Sequence, residues 1–226
     1  MISKLAVIVA GGSGMRMGNE LPKQFLLLDG KPVLLYAIDA FLSTYHDIKI
    51  NLVLPKDYFD YTRELLNSFG YPTSIQFIEG GATRFQSVKN GISNASADDI
   101  IFVHDAVRCL ISKPLIERCF EKAHSSGSAI PVIPIRDSMR RVALDGSSEL
   151  VSRADVYSVQ TPQTFQASIL IPAFQVDYLD KFTDEATVVE HAGTPIHTVE
   201  GEEQNIKITY PDDLLYAKWK LSIRQH

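Results

Sequence analysis

Directly after its first apolar run the chain reads Ala10-Gly11-Gly12-Ser13-Gly14-Met15-Arg16-Met17-Gly18, and Leu21-Pro22-Lys23-Gln24 comes closely behind. Glycines in such a turn let backbone N–H groups face an anion with no Cβ in the way. Arg16 adds a forked guanidinium and Lys23 a compact ammonium. Backbone donors beside two cations suit a triphosphate and the charge that develops during phosphoryl transfer. Neither common phosphate loop fits. The dinucleotide fingerprint needs a small residue where Met17 stands, and the Gly-Lys-Ser/Thr of a P-loop is missing.

Three further groups carry chemistry. Ile100-Ile101-Phe102-Val103-His104-Asp105-Ala106-Val107-Arg108 is an apolar strand ending in an acid. A carboxylate near phosphates commonly holds Mg²⁺; capping a helix is its other use. His104 reads as a packed histidine, because no second His or Cys stands at ligand spacing. Glu79-Gly80-Gly81-Ala82-Thr83-Arg84-Phe85-Gln86-Ser87 is a second glycine turn. It could approach a base or ribose with backbone and the Ser87 hydroxyl, or simply cap the next helix. The last group comprises Arg136 to Arg141, Arg153, Thr161-Pro162-Gln163, Thr183-Asp184-Glu185-Ala186 and Asn205-Ile206-Lys207. Its cations and hydroxyls suit a phosphate monoester, although spacing alone does not bring them together.

Alternating elements must position these residues. Strands are predicted at Leu5–Ala10, Lys49–Leu54, Ser74–Ile78, Ile100–His104, Ala129–Ile135 and Pro195–Glu200. Helical periodicity covers Val33–Ser43, Asp57–Phe69, Thr83–Ser93 and Pro114–Ser125. Continuous apolar runs such as Ala6-Val7-Ile8-Val9 indicate strands buried on both faces, as in a parallel sheet. The fold class is therefore α/β, with ligands expected at the carboxyl ends of strands. From Arg136 to Gln160 the rhythm breaks: extended pieces near Arg141–Leu144 and Glu149–Ser152 flank Asp145-Gly146, a hairpin signal. Such a hairpin either projects toward a partner subunit or is a solvated excursion. Pro211-Asp212-Asp213 opens a last helix to about Ser222, with Thr209 the expected N-cap.

Composition bounds the rest. The 226 residues are 45% hydrophobic and 22% charged, with a net charge of −5. That is one domain's length with a little to spare. An acidic chain carries no general nucleic-acid footprint, so phosphate binding must be local. Two cysteines, Cys109 and Cys119, make no disulfide framework and fit a reducing cytoplasm. The apolar run at Leu5 is too short for a signal peptide or a membrane span.

Taken in order, Ala-Gly-Gly-x-Gly-x-Arg-Met, Pro-Lys-Gln, Gly-Gly-x-x-Arg-x-x-Ser-Val, His-Asp-Ala-x-Arg, Thr-Pro-Gln, Thr-Asp-Glu-Ala and Asn-Ile-Lys-Ile-Thr span nearly the whole chain. The sequence resembles the polyol-phosphate cytidylyltransferases, most closely those acting on a methylerythritol phosphate in non-mevalonate isoprenoid synthesis. The resemblance implies one Rossmann-like nucleotidyltransferase domain over 1–226, with CTP and a polyol phosphate as substrates. It implies a homodimer formed through a projecting arm at about 136–160. Arg16, Lys23 and Lys207 would be catalytic. Ala10, Gly11, Gly12, Ser13, Gly14, Gly80, Gly81, Arg84, Ser87, Asp105 and Ala106 would bind the nucleotide. Asp105, Arg108, Ser138, Arg153, Thr161 and Thr183 would bind the polyol phosphate, partly across the dimer, and Asp105 would hold Mg²⁺ or another divalent cation. Cys109 stands where the family usually has Pro, Ser138 where it has Thr, Ala82 where many members carry an acid, and Val107 where Ala is common. A ribitol 5-phosphate enzyme shares most of these motifs. An NAD-dependent reductase, disfavoured by Met17, and a non-catalytic nucleotide-binding module are the other readings.

Overall fold

The structure, a computed structural model, describes residues 2–11 and 21–224. In chain order the elements begin with β1 (Lys4–Val9), the short pair β2 (Leu27–Leu28) and β3 (Lys31–Pro32), α1 (Val33–Thr44), β4 (Lys49–Leu54) and α2 (Phe59–Ser68). Next come β5 (Gln76–Glu79), α3 (Arg84–Gly91), β6 (Ile100–Asp105), α4 (Lys113–Ser126) and β7 (Ser128–Pro134). The arm contributes β8 (Met139–Val142) and β9 (Ser148–Val151), and beyond it lie β10 (Tyr157–Val159), β11 (Gln163–Gln166) and α5 (Ala167–Ala173). α6 (Glu185–His191), β12 (Thr198–Glu200) and α7 (Pro211–Arg224) complete the chain.

The main sheet runs β10-β7-β11-β6-β1-β4-β5, with β12 also paired to β7. β6, β1, β4 and β5 are mutually parallel, while β11 lies antiparallel between β6 and β7. From β1 the chain moves to β4 and β5 on one side, then returns to place β6 on the other. That reversal opens a crevice at the carboxyl ends of β1 and β6, where α/β sheets take ligands.

Alternation along β1 builds both cores. Ala6 and Ile8 face Leu34, Ile38, Phe41, Leu52 and Phe102, and Cys119 of α4 is wholly buried in the same layer. Leu5 and Val7 face Phe85, Val88, Phe165 and Phe174 on the opposite side. α3 lies close because its Gly91 lacks a side chain: a Cβ there would sit 2.5 Å from Val7 Cγ1. α4 starts where Ser112 accepts the Leu115 N–H (3.2 Å) and stops at Gly127, whose φ of +90° suits glycine.

Some boundaries differ from the periodicity, for local reasons. The arm's strands end earlier than the apolar pattern suggests, because Asp145 accepts the Ser147 N–H (2.9 Å) and Ser147 O accepts the Ala143 N–H (2.8 Å). Leu144 is therefore an exposed turn residue and not a strand residue. Thr209 does not cap α7 with its side chain. Its hydroxyl donates to Lys207 O, and Asp213 Oδ2 accepts the Thr209 and Tyr210 N–H groups at 2.7 and 2.8 Å.

Candidate active site

A cavity of about 260 Å³ opens at the carboxyl edge. Ala10 and Gly11, leaving β1, line it together with Lys23. Gly81 enters from the turn before α3, Arg84 and Ser87 from the helix's first turn, and Asp105 and Lys207 complete the wall. Gly12, Ser13, Gly14 and Arg16 lie outside the described residues.

Each wall is built locally. Gln24, buried in a 3₁₀ turn (Lys23–Phe25), donates from Nε2 to Ala10 O at 2.6 Å and so holds the exit of β1. Lys23 Nζ donates to Ile208 O at 3.0 Å, joining that turn to the segment that carries Lys207. In the second glycine turn Thr83 accepts the Gln86 N–H at 3.1 Å and caps α3. Ser87 Oγ donates to Thr83 O (2.9 Å) and accepts the Gly81 N–H (3.0 Å), which folds the turn tightly against the helix. A Cβ on Gly81 would come within 2.1 Å of Gln86 Cγ, so glycine is a steric requirement there. The turn thus caps its helix and lines the cavity; the two readings of its sequence are compatible.

Asp105 is the electrostatic centre. Lys207 Nζ lies 3.0 Å from Oδ2, Arg108 Nε 3.6 Å from Oδ2 and Arg84 Nη2 3.4 Å from Oδ1. Burial alone would raise the carboxyl pKa, but Arg84, then Lys207 and Arg108, outweigh it and hold the group far below the usual carboxylate range. The carboxylate therefore stays charged and does not act as a proton carrier. Its side chain caps no helix. His104, by contrast, is fully buried against the Phe41 ring, and burial pushes its pKa down to about 4. It is a packed, neutral histidine.

Glu185, unassigned by the sequence, is a second buried acid at this edge. Both guanidinium nitrogens Nη1 and Nη2 of Arg84 bond it, with Nη2–Oε2 at 3.1 Å. Burial raises its pKa, and Arg84 works against that rise. Arg84 thus spans two carboxylates. Gln163 orients the start of α6: it donates to Asp184 Oδ2 (2.9 Å) and accepts the Ala186 N–H (2.9 Å). These residues lie inside motifs visible in the sequence, but an acid at a helix start reads the same whether exposed or buried.

The remaining expected residues divide by place. Gly80 and Ala106 support the walls through backbone bonds, to Leu54 O (3.1 Å) and Val9 O (3.0 Å). Arg108 pairs with the Asp105 carboxylate and Thr161 accepts the Asp105 N–H, and neither lines the cavity. Thr183 is exposed just before α6. Ser138 and Arg153 are exposed on or beside the arm, and within one chain they do not line the cavity. Among the described residues no three His, Cys, Asp or Glu side chains gather as a metal cluster. No helix among them is long and apolar enough to cross a membrane.

The family model "IspD: 2-C-methyl-D-erythritol 4-phosphate cytidylyltransferase" matches residues 4–222. The chain belongs to that family. A 2-C-methyl-D-erythritol 4-phosphate cytidylyltransferase from Bacteroides fragilis is 45% identical over 214 residues, covering 95% of this chain and 97% of its own length. A relative of the same description from Porphyromonas gingivalis is 42% identical over 97% of this chain and 98% of its own. Among solved structures, the family member from Francisella tularensis superposes with a TM-score of 0.82 at 31% identity, covering 96% of this chain and 99% of that one. The family's α/β fold, read from strand–helix alternation, is the fold observed.

Proposed function

We propose that the cavity at the carboxyl ends of β1 and β6 is where this chain transfers the cytidylyl group of CTP to 2-C-methyl-D-erythritol 4-phosphate. The observation that carries this reading is the convergence of Arg84, Arg108 and Lys207 on one buried carboxylate, with Lys23 on the same wall. The reaction joins a phosphate oxygen of the polyol phosphate to the α-phosphorus of CTP and breaks the α–β anhydride bond. Pyrophosphate leaves with that electron pair. Because the attacking phosphate is already an anion, no strong base is required, and alignment and charge stabilisation do the work.

Lys23 and Lys207 meet the charge that develops at the α-phosphate, a task the family resemblance also gives to Arg16. Gly80, Gly81 and Ser87 form a rigid backbone edge that receives the base and ribose. Arg84 and Arg108 keep Asp105 ionised and aimed at the cavity. A single hard oxygen suits Mg²⁺, which binds through one or two carboxylates and completes its shell with substrate phosphates and water. Asp105 would hold it, and when bound it would neutralise triphosphate charge.

The arm is the dimer contact in this reading. A lone two-stranded hairpin is marginal in water, and β8–β9 exposes Val142 and Leu150 beside Leu144 in its turn. A second copy would cover them and could bring its Ser138 and Arg153 to the cavity. Two buried free thiols agree with a cytoplasmic location.

Pyrophosphate release tests the assignment. With CTP and Mg²⁺, methylerythritol phosphate should support turnover and chelation should abolish it. Faster turnover with ribitol 5-phosphate would overturn the substrate.

A further inference from the structure

On its way from β12 to Lys207 the chain runs Gly201-Glu202-Glu203-Gln204-Asn205, five residues without one apolar side chain. Gly201 is still tied to the sheet, where its N–H donates to Val132 O at 2.9 Å. Beyond it the segment belongs to neither strand nor helix. With no hydrophobic group to bury, its course must be fixed by hydrogen bonds.

Gln160, between β10 and β11 and only 3% exposed, supplies them. Its backbone N–H donates to Pro131 O of β7 at 2.8 Å, so the residue is itself part of the sheet. Its side-chain amide grips the backbone of Glu202 with both ends. Nε2 donates to Glu202 O at 2.7 Å, and Oε1 accepts the Glu202 N–H at 3.0 Å. The second Nε2 proton faces Asn205 O at 3.4 Å. A backbone N–H only donates and a carbonyl only accepts, so the two ends of the amide cannot be exchanged. A side chain thus reproduces the double exchange of bonds made by two facing residues of an antiparallel ladder. Glycine at 201 is part of the fit, because a Cβ there would come within 2.5 Å of Gln160 Oε1. Ser112 Oγ also bonds Glu202, but through a carboxylate that can rotate about its own side-chain bonds.

Five residues beyond Glu202, Lys207 Nζ meets Asp105 Oδ2 at 3.0 Å on the cavity wall. The next N–H, of Ile208, donates to Val107 O at 3.0 Å. Lys207 therefore stands between two anchors, one upstream at Glu202 and one just after it. We propose that Gln160 is a positioning residue, whose amide splints Glu202 to the sheet and so sets where Lys207 stands. Gln160 does not line the cavity and acts through the lysine. The proposal deepens the cytidylyl-transfer reading and rests on it for its kinetic consequences. A misplacement on the order of 1 Å at such a centre can cost about a hundredfold in rate. The Ile208 anchor limits the loss to less.

A double-mutant cycle tests the splint. Gln160→Met keeps the length of the side chain and removes both polar ends. With Lys207 in place it should lower kcat about tenfold and leave KM for CTP and for methylerythritol phosphate within about twofold. In the Lys207→Ala background the same change should alter the residual rate by less than about twofold, because the group it positions is gone. An equal loss in both backgrounds would overturn the proposal, and so would a defect confined to either KM. Hydrogen exchange in the unmodified chain decides independently, should the methionine variant not fold. The Glu202 N–H, although outside any strand, should be protected about a hundredfold or more; free exchange there would remove the splint. A wild-type chain without cytidylyl transfer would instead overturn the site reading and the kinetic role together, while the protection at Glu202 stays legible.

Discussion

At the carboxyl edge, Glu185 and Asp105 are almost wholly buried and share the Arg84 guanidinium. On the arm, Arg141 meets Glu149 at 2.6 Å with both side chains mostly in solvent, and Arg136 meets Glu203 in the same manner. The functional groups are identical and their worth is opposite. A solvated pair contributes about 0–1 kcal/mol, because water and salt already satisfy both partners. A buried pair adds little over a well-packed apolar substitute, yet breaking it strands a charge and costs about 3–5 kcal/mol. Charge is used at the edge to fix geometry. On the arm it keeps an exposed hairpin soluble, and in the proposed reading the apolar residues are left for a second copy.

The sharpest way to break this contrast is Glu185→Ala. Losing about 3–5 kcal/mol should lower the melting temperature by roughly 6–20 °C in a chain of this size. Calorimetry showing a change as small as that for Arg141→Ala would erase the distinction. Next is Lys23→Ala, expected to cut turnover about 10²–10³-fold while far-ultraviolet dichroism stays that of the native fold. Retained rate would remove Lys23 from the catalytic group.

A pH test is subtler. The folded Asp105 carboxyl titrates below its unfolded value of about 3.9. Its contribution is therefore present above the unfolded value and is lost as pH falls through the folded one. Urea midpoints at pH 7 and pH 3 should differ less in Asp105→Asn than in the wild type; equal differences would contradict the ion-pair geometry. The smallest effect on stability, within about 0.5 kcal/mol per chain, is expected from Leu150→Asp. Sedimentation should nevertheless turn dimer into monomer, and an undisturbed dimer would move the contact off the arm.

Legibility in the sequence obeys the same divide between local and distant forces. Lys49–Leu54 is read to the residue because four of its six residues, Ile50, Leu52, Val53 and Leu54, are apolar, as suits a strand buried on both faces. β11 leaves no such trace. Its four residues, Gln163–Gln166, include two glutamines, and only its antiparallel place between β6 and β7 makes it a strand. α6 is similarly short and announces itself only through the Asp184–Thr187 capping box. At the site, glycines, Lys23, Asp105 and Lys207 stand out because their types are chemically marked. Partners such as Glu185 for Arg84, or Asn205 for Arg108, are separated by 101 and 97 residues. Nothing in local periodicity selects them.

Cys119, sealed beneath α4 with its pKa pushed up to about 12 by burial, has a consequence for handling the protein. Only the thiolate attacks alkylating reagents. At neutral pH about one such thiol in 10⁵ is ionised, and no reagent reaches it while α4 stays on the sheet. Covalent labelling at Cys119 must therefore wait for that helix to lift away. The sulfur is a built-in clock for opening of the core.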